Sequence, residues 1–234
     1  MTAPRAVLFD LFHTLIALRP GGALGPPTWQ ALGVSRAAYE QSFFTDHDGR
    51  ATGAVRDAVE SLRLVAHRID PSIPLERIRS AAEARARRFA HAFENVAPGV
   101  LAGLARLRAA GVRTALVSNA SWEEIGWFDG SALAPLFDAA VFSCDAGVAK
   151  PDPAIYITAL RAVGVPPEHA WFVGDGGSDE HRGARAVGMR PVLVLHLLRE
   201  VWPDRIDERA RHADLVLEDI EAVADAALAR EGLR

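Results

Sequence analysis

Short apolar runs that close on a polar residue alternate along the chain with stretches of helical spacing. The first run, residues 5–10 (Arg-Ala-Val-Leu-Phe-Asp), is rich in branched and aromatic side chains and ends on a carboxylate. That is the pattern of a parallel strand buried on both faces. Similar runs recur at 113–119, 139–143, 170–175 and 191–195, with a shorter one at 214–217. Between them, residues 100–110 place Leu101, Leu104 and Leu107 on one helical face and stop at Gly111. Residues 153–163 predict a helix that stops at Gly164. Ser178 or Asp179 is placed to cap a helix that runs to Val187 before Gly188, and residues 219–230 predict a terminal helix.

Residues 29–93 break this rhythm. They carry no strand pattern, only helical spacing such as Val55, Val59, Leu62, Val65, Ala66 and Ile69. Pro71 and Pro74 interrupt them, and an Arg-rich helix over 76–93 follows. A Pro- and Gly-rich loop at 20–27 leads into the block. Strands alternating with helices predict an α/β fold with a doubly wound, mostly parallel, Rossmann-like sheet. The helical block predicts an inserted all-helical cap. The expected division is a core of residues 1–16 and 96–234 with a cap of residues 17–95.

Composition narrows the function classes. With 234 residues, 50% of them hydrophobic and 24% charged, the chain has the make-up of a globular protein. A net charge of −4 gives no electrostatic footprint for nucleic acid. The single cysteine, Cys144, excludes a disulfide scaffold and a Cys-rich zinc site, and points to a reducing compartment. The first apolar run is broken by Asp10, too early for a signal segment, and no stretch approaches the ~20 apolar residues of a membrane span. A cytoplasmic chain with no membrane partner is expected. Of 26 basic residues only Lys150 is lysine. An ammonium is a compact point charge that a guanidinium does not replace.

The strand ends carry the candidate chemistry. The first run ends in Asp10, with Thr14 beyond it. The second ends in Ser118-Asn119. Lys150-Pro151 follows the third, and the fourth ends in Gly174-Asp175 ahead of Asp179 and Glu180. A parallel sheet gathers such groups along its carboxyl edge. Oxygen ligands suit Mg²⁺ and a lysine binds phosphate, so the set predicts a site for a metal ion and a phosphoryl group.

These motifs resemble those of the haloacid dehalogenase-like hydrolases, and they run across nearly the whole chain. They are Asp10-Leu-Phe-His-Thr14, Leu116-Val-Ser118-Asn119, Lys150-Pro151, and Gly174-Asp175 followed by Asp179-Glu180 and Gly183-Ala184. The resemblance implies a nucleophilic Asp10 that forms an aspartyl-phosphate on a small phosphorylated metabolite. It implies Mg²⁺ held by Asp10, the backbone carbonyl of Phe12, Asp175, and Asp179 or Glu180. Lys150 would balance charge, Thr14 would serve the catalytic set, and Ser118, Asn119 and Lys150 would bind substrate. The helical block would cover the site and choose the substrate.

One position departs from the pattern. Phe12 stands where phosphatases of this family carry a second Asp that transfers protons, work usually valued at ~10²–10⁴-fold. An aromatic residue here also resembles the 2-haloacid dehalogenase branch, in which Asp10 would displace halide without metal or acid. That branch lacks an acid at the position of Asp175. An anionic Asp175 facing Asp10 with no cation between them would repel it, so a metal-bearing, phosphatase-like site is favoured. A weakly catalytic or binding-only descendant is the third reading. His13 has a pKa suited to replacing the proton carrier, but alternation along an extended segment would point it away from Asp10.

In the helical block, Asp46, His47, Asp48 and Arg50 read as a solvated turn, with contact to substrate as the alternative. Arg85, Arg87 and Arg88 read as a solvated helix face. Trp122 and Trp127 are candidates for the pocket entrance or for an oligomer contact, and a homodimer is a candidate assembly.

Overall fold

The computed structural model describes residues 3–45 and 49–229. Strand β1 (Ala6–Phe9) is buried along its whole length and lies inside the sheet. Its partners are β2 (Arg113–Ser118) on one side and β4 (Ala170–Gly174) on the other, both parallel. With β3 (Ala139–Phe142), β5 (Arg190–Val194) and β6 (Leu215–Leu217) the order is β3-β2-β1-β4-β5-β6. Every pairing is parallel. This is a doubly wound sheet whose order reverses beside β1, where such sheets bind ligands.

Alternation along the strands builds two apolar layers. Val7, Phe9, Leu116, Val173 and Val192 face one cluster, closed by α5 (Pro98–Ala109) and by α12 (Ile220–Leu228), the last helix. Ala6, Leu8, Ala115, Val117 and Phe172 face the other, closed by α8 (Pro153–Val163) and by α9 (Glu180–Ala186), the helix after β4. Burial on both faces explains why the strands read as continuous apolar runs rather than alternating ones.

Four helices lie between β1 and α5. They are α1 (Thr28–Leu32), α2 (Arg36–Phe44), α3 (Ala58–Ile69) and α4 (Leu75–Glu94). Ser35 caps α2 by accepting from the Ala38 N–H, and Asp57 caps α3 by accepting from the Glu60 N–H. The block packs around its own apolar cluster of Leu32, Leu62, Val65, Ile73 and Ile78.

Several local expectations need correction. Val55 precedes α3 rather than belonging to it. Neither Ser178 nor Asp179 caps α9 through its side chain. Both sit at positive φ (52° and 51°) in the turn before it. Short helices also follow strands where none was expected, α6 (Trp122–Ile125), α7 (Ser143–Ala146) and α10 (His196–Val201), and α11 (Ile206–Ala210) follows α10. Among the described residues no helix is long and apolar enough to cross a membrane.

Candidate active site

Sheet register assembles the site. Phe9 pairs with Leu116 on one side and Val173 on the other, so Asp10 leaves β1 beside the ends of β2 and β4. The Asp10 N–H still donates to the Val173 carbonyl at 2.9 Å, which holds the strand end in place. The Asp10 carboxylate accepts from Thr14 Oγ1 at 2.9 Å through Oδ2 and from Lys150 Nζ at 2.5 Å through Oδ1. Lys150 Nζ also donates to Glu180 Oε2 at 2.7 Å. The other Glu180 oxygen accepts from the Gly176 N–H at 2.8 Å. Asp175 Oδ1 accepts from the Gly177 N–H, also at 2.8 Å. Carboxylate oxygens of Asp10, Asp175 and Glu180 lie within 4.8 Å of one another.

This cluster is closed to water. Asp10 is 6% exposed, Lys150 5%, Asp175 5%, Glu180 1% and Ser118 fully buried. Electrostatics follow from that. Burial pushes the Asp10 carboxyl above its usual range, and Asp175 adds to the rise while Lys150 opposes it. Burial likewise pushes Glu180 up to about 8, again against Lys150. Burial pulls the Lys150 pKa down, but Asp10 and Glu180 more than reverse this and hold the proton on the ammonium.

Of the two candidate acids after Asp175, Glu180 points inward. Asp179 is exposed and lies 3.9 Å from Arg182. The left-handed turn at Ser178 and Asp179 makes the difference, because it swings Asp179 outward and starts α9 with Glu180 facing the sheet. Ser118 Oγ, at the carboxyl end of β2, is buried with no hydrogen-bond partner. Asn119, expected against substrate, spends its side-chain amide on the chain instead. Its Nδ2 donates to the Lys150 carbonyl at 2.9 Å, and its Oδ1 accepts from the Lys150 N–H at 2.7 Å. It therefore positions the lysine.

The Phe12 ring meets Phe89 of α4 edge-on with centroids 5.7 Å apart, and Phe89 stacks on Trp127 at 6.4 Å. An aromatic wall thus stands over the position where the family acid is missing. His13 occupies a left-handed turn (φ 61°), with its ring edge-on to Trp202 and its Nδ1 buried without a partner. Burial pushes its pKa down, against the pull of Asp175 and Asp10, which disfavours the imidazolium a proton donor would need.

Three residues missed in the sequence hold the site or its contact with the helical block. Tyr156 donates from its hydroxyl to the Glu180 carbonyl at 2.9 Å. Arg209 of α11 donates to Asp175 Oδ2 at 2.6 Å. The third is Glu124. Arg85 and Arg88, expected on a solvated face, are buried, whereas Arg87 is exposed as expected. Arg85 pairs with the buried Glu124 of α6, and Arg88 donates to the carbonyls of Leu24 and Pro26 and to Thr28 Oγ1. No local pattern marks these arginines, because an Arg-rich amphipathic helix looks the same whether its cations meet water or partners. Arg209 and Lys150 bear on the metal. Repulsion between Asp10 and Asp175 does not by itself require a metal, since two cations of the chain stand beside the three carboxylates.

Helix α6 is one contact between sheet edge and helical block. Trp122 donates to the Gly53 carbonyl at 3.3 Å and lies under Arg56, with 4.1 Å from guanidinium carbon to ring centroid. Glu123 accepts from Ser61 Oγ at 2.9 Å. Both Trp122 and Trp127 therefore face the helical block. Arg50 is buried and donates to the Phe43 carbonyl. Asp46, His47 and Asp48 lie outside the described residues.

Fold and site together define an α/β protein of the doubly wound class, with a carboxylate at the end of its inner strand and a helical block above the sheet edge. The chain belongs to the haloacid dehalogenase-like hydrolases, whose family model matches residues 4–188. It is 37% identical over 127 residues to the phosphoserine phosphatase of Thermus thermophilus, a match covering 51% of each chain, so it aligns with about half of that relative's length. It is 29% identical over 242 residues to the phosphoglycolate phosphatase of Pseudomonas savastanoi pv. phaseolicola, covering 94% of this chain and 85% of the relative. The fold matches the L-2-haloacid dehalogenase of Xanthobacter autotrophicus with a TM-score of 0.65 at 18% identity, over 99% of this chain and 100% of that one.

Proposed function

We propose that this hydrolase is a Mg²⁺-dependent phosphatase that acts on a small phosphorylated metabolite through Asp10. The observation that carries the reading is the meeting of Asp10, Asp175 and Glu180 within 4.8 Å, with a buried, unpartnered serine hydroxyl at the end of the neighbouring strand β2. Three oxygen donors of this kind fit Mg²⁺. Asp10, Asp175, Glu180 and the Phe12 carbonyl would hold the ion. When bound it supplies positive charge to offset that of the nucleophile and the phosphoryl oxygens.

The chain's own residues do the rest. A carboxylate oxygen of Asp10 attacks phosphorus, and the bond to the leaving oxygen breaks with its electron pair staying on that oxygen. Water then attacks the phosphorus of the aspartyl-phosphate, which restores the carboxylate and releases inorganic phosphate. Lys150 balances charge on Asp10 throughout. Thr14 orients the carboxylate from the side opposite Lys150. Ser118 Oγ is free to donate to a phosphoryl oxygen. Phe12 offers no proton, so leaving groups stable as anions should be preferred. Because the site is closed, the helical block must move for substrate to enter, in the manner of a cap.

A second reading, displacement of halide from a 2-haloacid by the same Asp10, draws on Phe12 and on the cation Arg209 at Asp175. Turnover of p-nitrophenyl phosphate and acetyl phosphate, with and without chelator, decides between them. Under the phosphatase reading, chelation abolishes turnover, Mg²⁺ restores it, and Asp10→Asn removes it. Release of halide from 2-chloropropionate that is unaffected by chelator would establish the second reading. Phosphatase turnover that survives Asp10→Asn would refute the first.

A further inference from the structure

Arg209 is seated at Asp175 by three separate features. Its Nη1 donates to Asp175 Oδ2 at 2.6 Å and to the Asp175 carbonyl at 2.9 Å. Its guanidinium carbon lies 5.1 Å from the centroid of the Trp202 ring. Its stem fills space left by a glycine: a Cβ on Gly176 would fall 3.0 Å from Arg209 Cβ and 3.2 Å from its Cγ. The side chain is only 17% exposed. Hydrogen bonds at the tip, an aromatic ring at the side and room for the stem make this a built contact.

The charges give it a consequence. Asp10, Asp175 and Glu180 face two cations, Lys150 and Arg209, and Arg209 is the one paired with Asp175. A divalent ion drawn to Asp175 arrives beside the guanidinium, and like charges repel strongly where water is excluded. Arg209 comes from a segment suited to give way. Helix α11 has five residues and follows the 3₁₀ turn Pro203–Arg205. The small apolar cluster beneath the segment has only Leu193, Leu195 and Leu198 fully packed, with Trp202 and Ile206 at its margin. Elements with so few buried contacts open at low cost.

We propose that Arg209 is a resident counter-ion that competes with Mg²⁺ for Asp175, so that the metal enters by displacing the guanidinium. Loss of the cation from the Trp202 face reports the exchange. The proposal rests on the magnesium reading above. It makes metal affinity a property tuned by a residue 34 positions beyond the ligand it guards.

Calorimetric titration of the full chain with MgCl₂ tests it, comparing wild type with Arg209→Met, which keeps an apolar stem, and Arg209→Lys, which keeps the charge. Arg209→Met should bind Mg²⁺ at least about tenfold more tightly than wild type, and Arg209→Lys should remain nearer wild type. Wild-type tryptophan fluorescence should change on titration, and Trp202→Phe should remove that change. Equal affinities of wild type and Arg209→Met overturn the proposal and leave the magnesium reading in place. Saturable binding to neither protein overturns both. If Arg209→Met does not fold, as judged by circular dichroism, the wild type decides alone: heat of binding without a Trp202-dependent signal overturns the proposal, and both together sustain it.

Discussion

Replacing Arg85 by Met removes the cation that ties the helical block to the sheet edge. Arg85 and Glu124 are 10% and 9% exposed, so their pairing takes place almost out of water. Arg85 also lies over the rings of Phe43 and Phe89, at 4.8 and 4.7 Å from their centroids. Methionine fills much of the volume but leaves Glu124 without its counter-charge. Breaking a buried pair by removing one partner costs about 3–5 kcal/mol. Glu124 keeps the Ser121 N–H at 2.8 Å, which favours the lower end, about 3 kcal/mol. For a chain of this size each kcal/mol moves Tm by about 2–4 °C, so a fall of about 6–12 °C is expected in thermal unfolding at pH 7.

The sign with pH follows from the carboxyl. Burial raises the Glu124 pKa, and Arg85 is the chief opposing influence, so its removal raises it further. A carboxyl with a raised native pKa binds more protons folded than unfolded, and stability is lost as pH rises above its unfolded value. The deficit of Arg85→Met should therefore shrink between pH 7 and pH 5. Adding Glu124→Gln should recover much of it at pH 7, since the uncompensated charge is gone. A single variant melting within 2 °C of wild type (below about 1 kcal/mol), or a double variant no better than the single, would refute the argument.

Three further outcomes can be checked directly. Phe12→Asp should raise turnover of alkyl phosphates by about tenfold or more while changing p-nitrophenyl phosphate little; a flat response across a leaving-group series would show that another residue supplies the proton. Gly103→Ala lies inside helix α5, where alanine ordinarily gains stability, but its Cβ would fall 2.6 Å from the Ile220 carbonyl oxygen. Chemical denaturation should show a loss of about 1–3 kcal/mol, and a gain would mean that α12 moves aside freely. Burial pushes the Cys144 thiol up to about 11, so alkylation of the native protein by iodoacetamide at pH 8 should run roughly two hundred times slower than for a free thiol. Labelling at the rate of the denatured chain would contradict this.

The carboxyl edge of the sheet was legible because its strands are buried on both faces. Such strands must be written as short unbroken apolar runs, so the polar residue that ends each one stands out. Asp10, Ser118 and Asp175 were found in this way, and Lys150 because it is the lone ammonium in an arginine-rich chain. The helical block declared itself by its 3.6-residue spacing and by the lack of any strand run within it. Choosing between Asp179 and Glu180 lay beyond sequence, because two left-handed residues in a tight turn decide which acid swings inward. The role of Asn119 was equally hidden, since its partner is the backbone of Lys150, 31 residues away.

Arginines were the hardest residues to read. Local pattern tells only that a helix has a polar side, whereas the fate of each cation depends on what the fold sets against it. Only packing brings Glu124 to Arg85 and Asp175 to Arg209, and only packing turns Arg88 toward the carbonyls of Leu24 and Pro26. Sequence by itself determined the sheet, the order of its strand ends and the chemical types gathered there, because burial and periodicity act over a few neighbouring residues. Tertiary structure alone decided how the charges are paired, because Coulomb energy depends on distances through space and on exclusion of water, and neither is written along the chain.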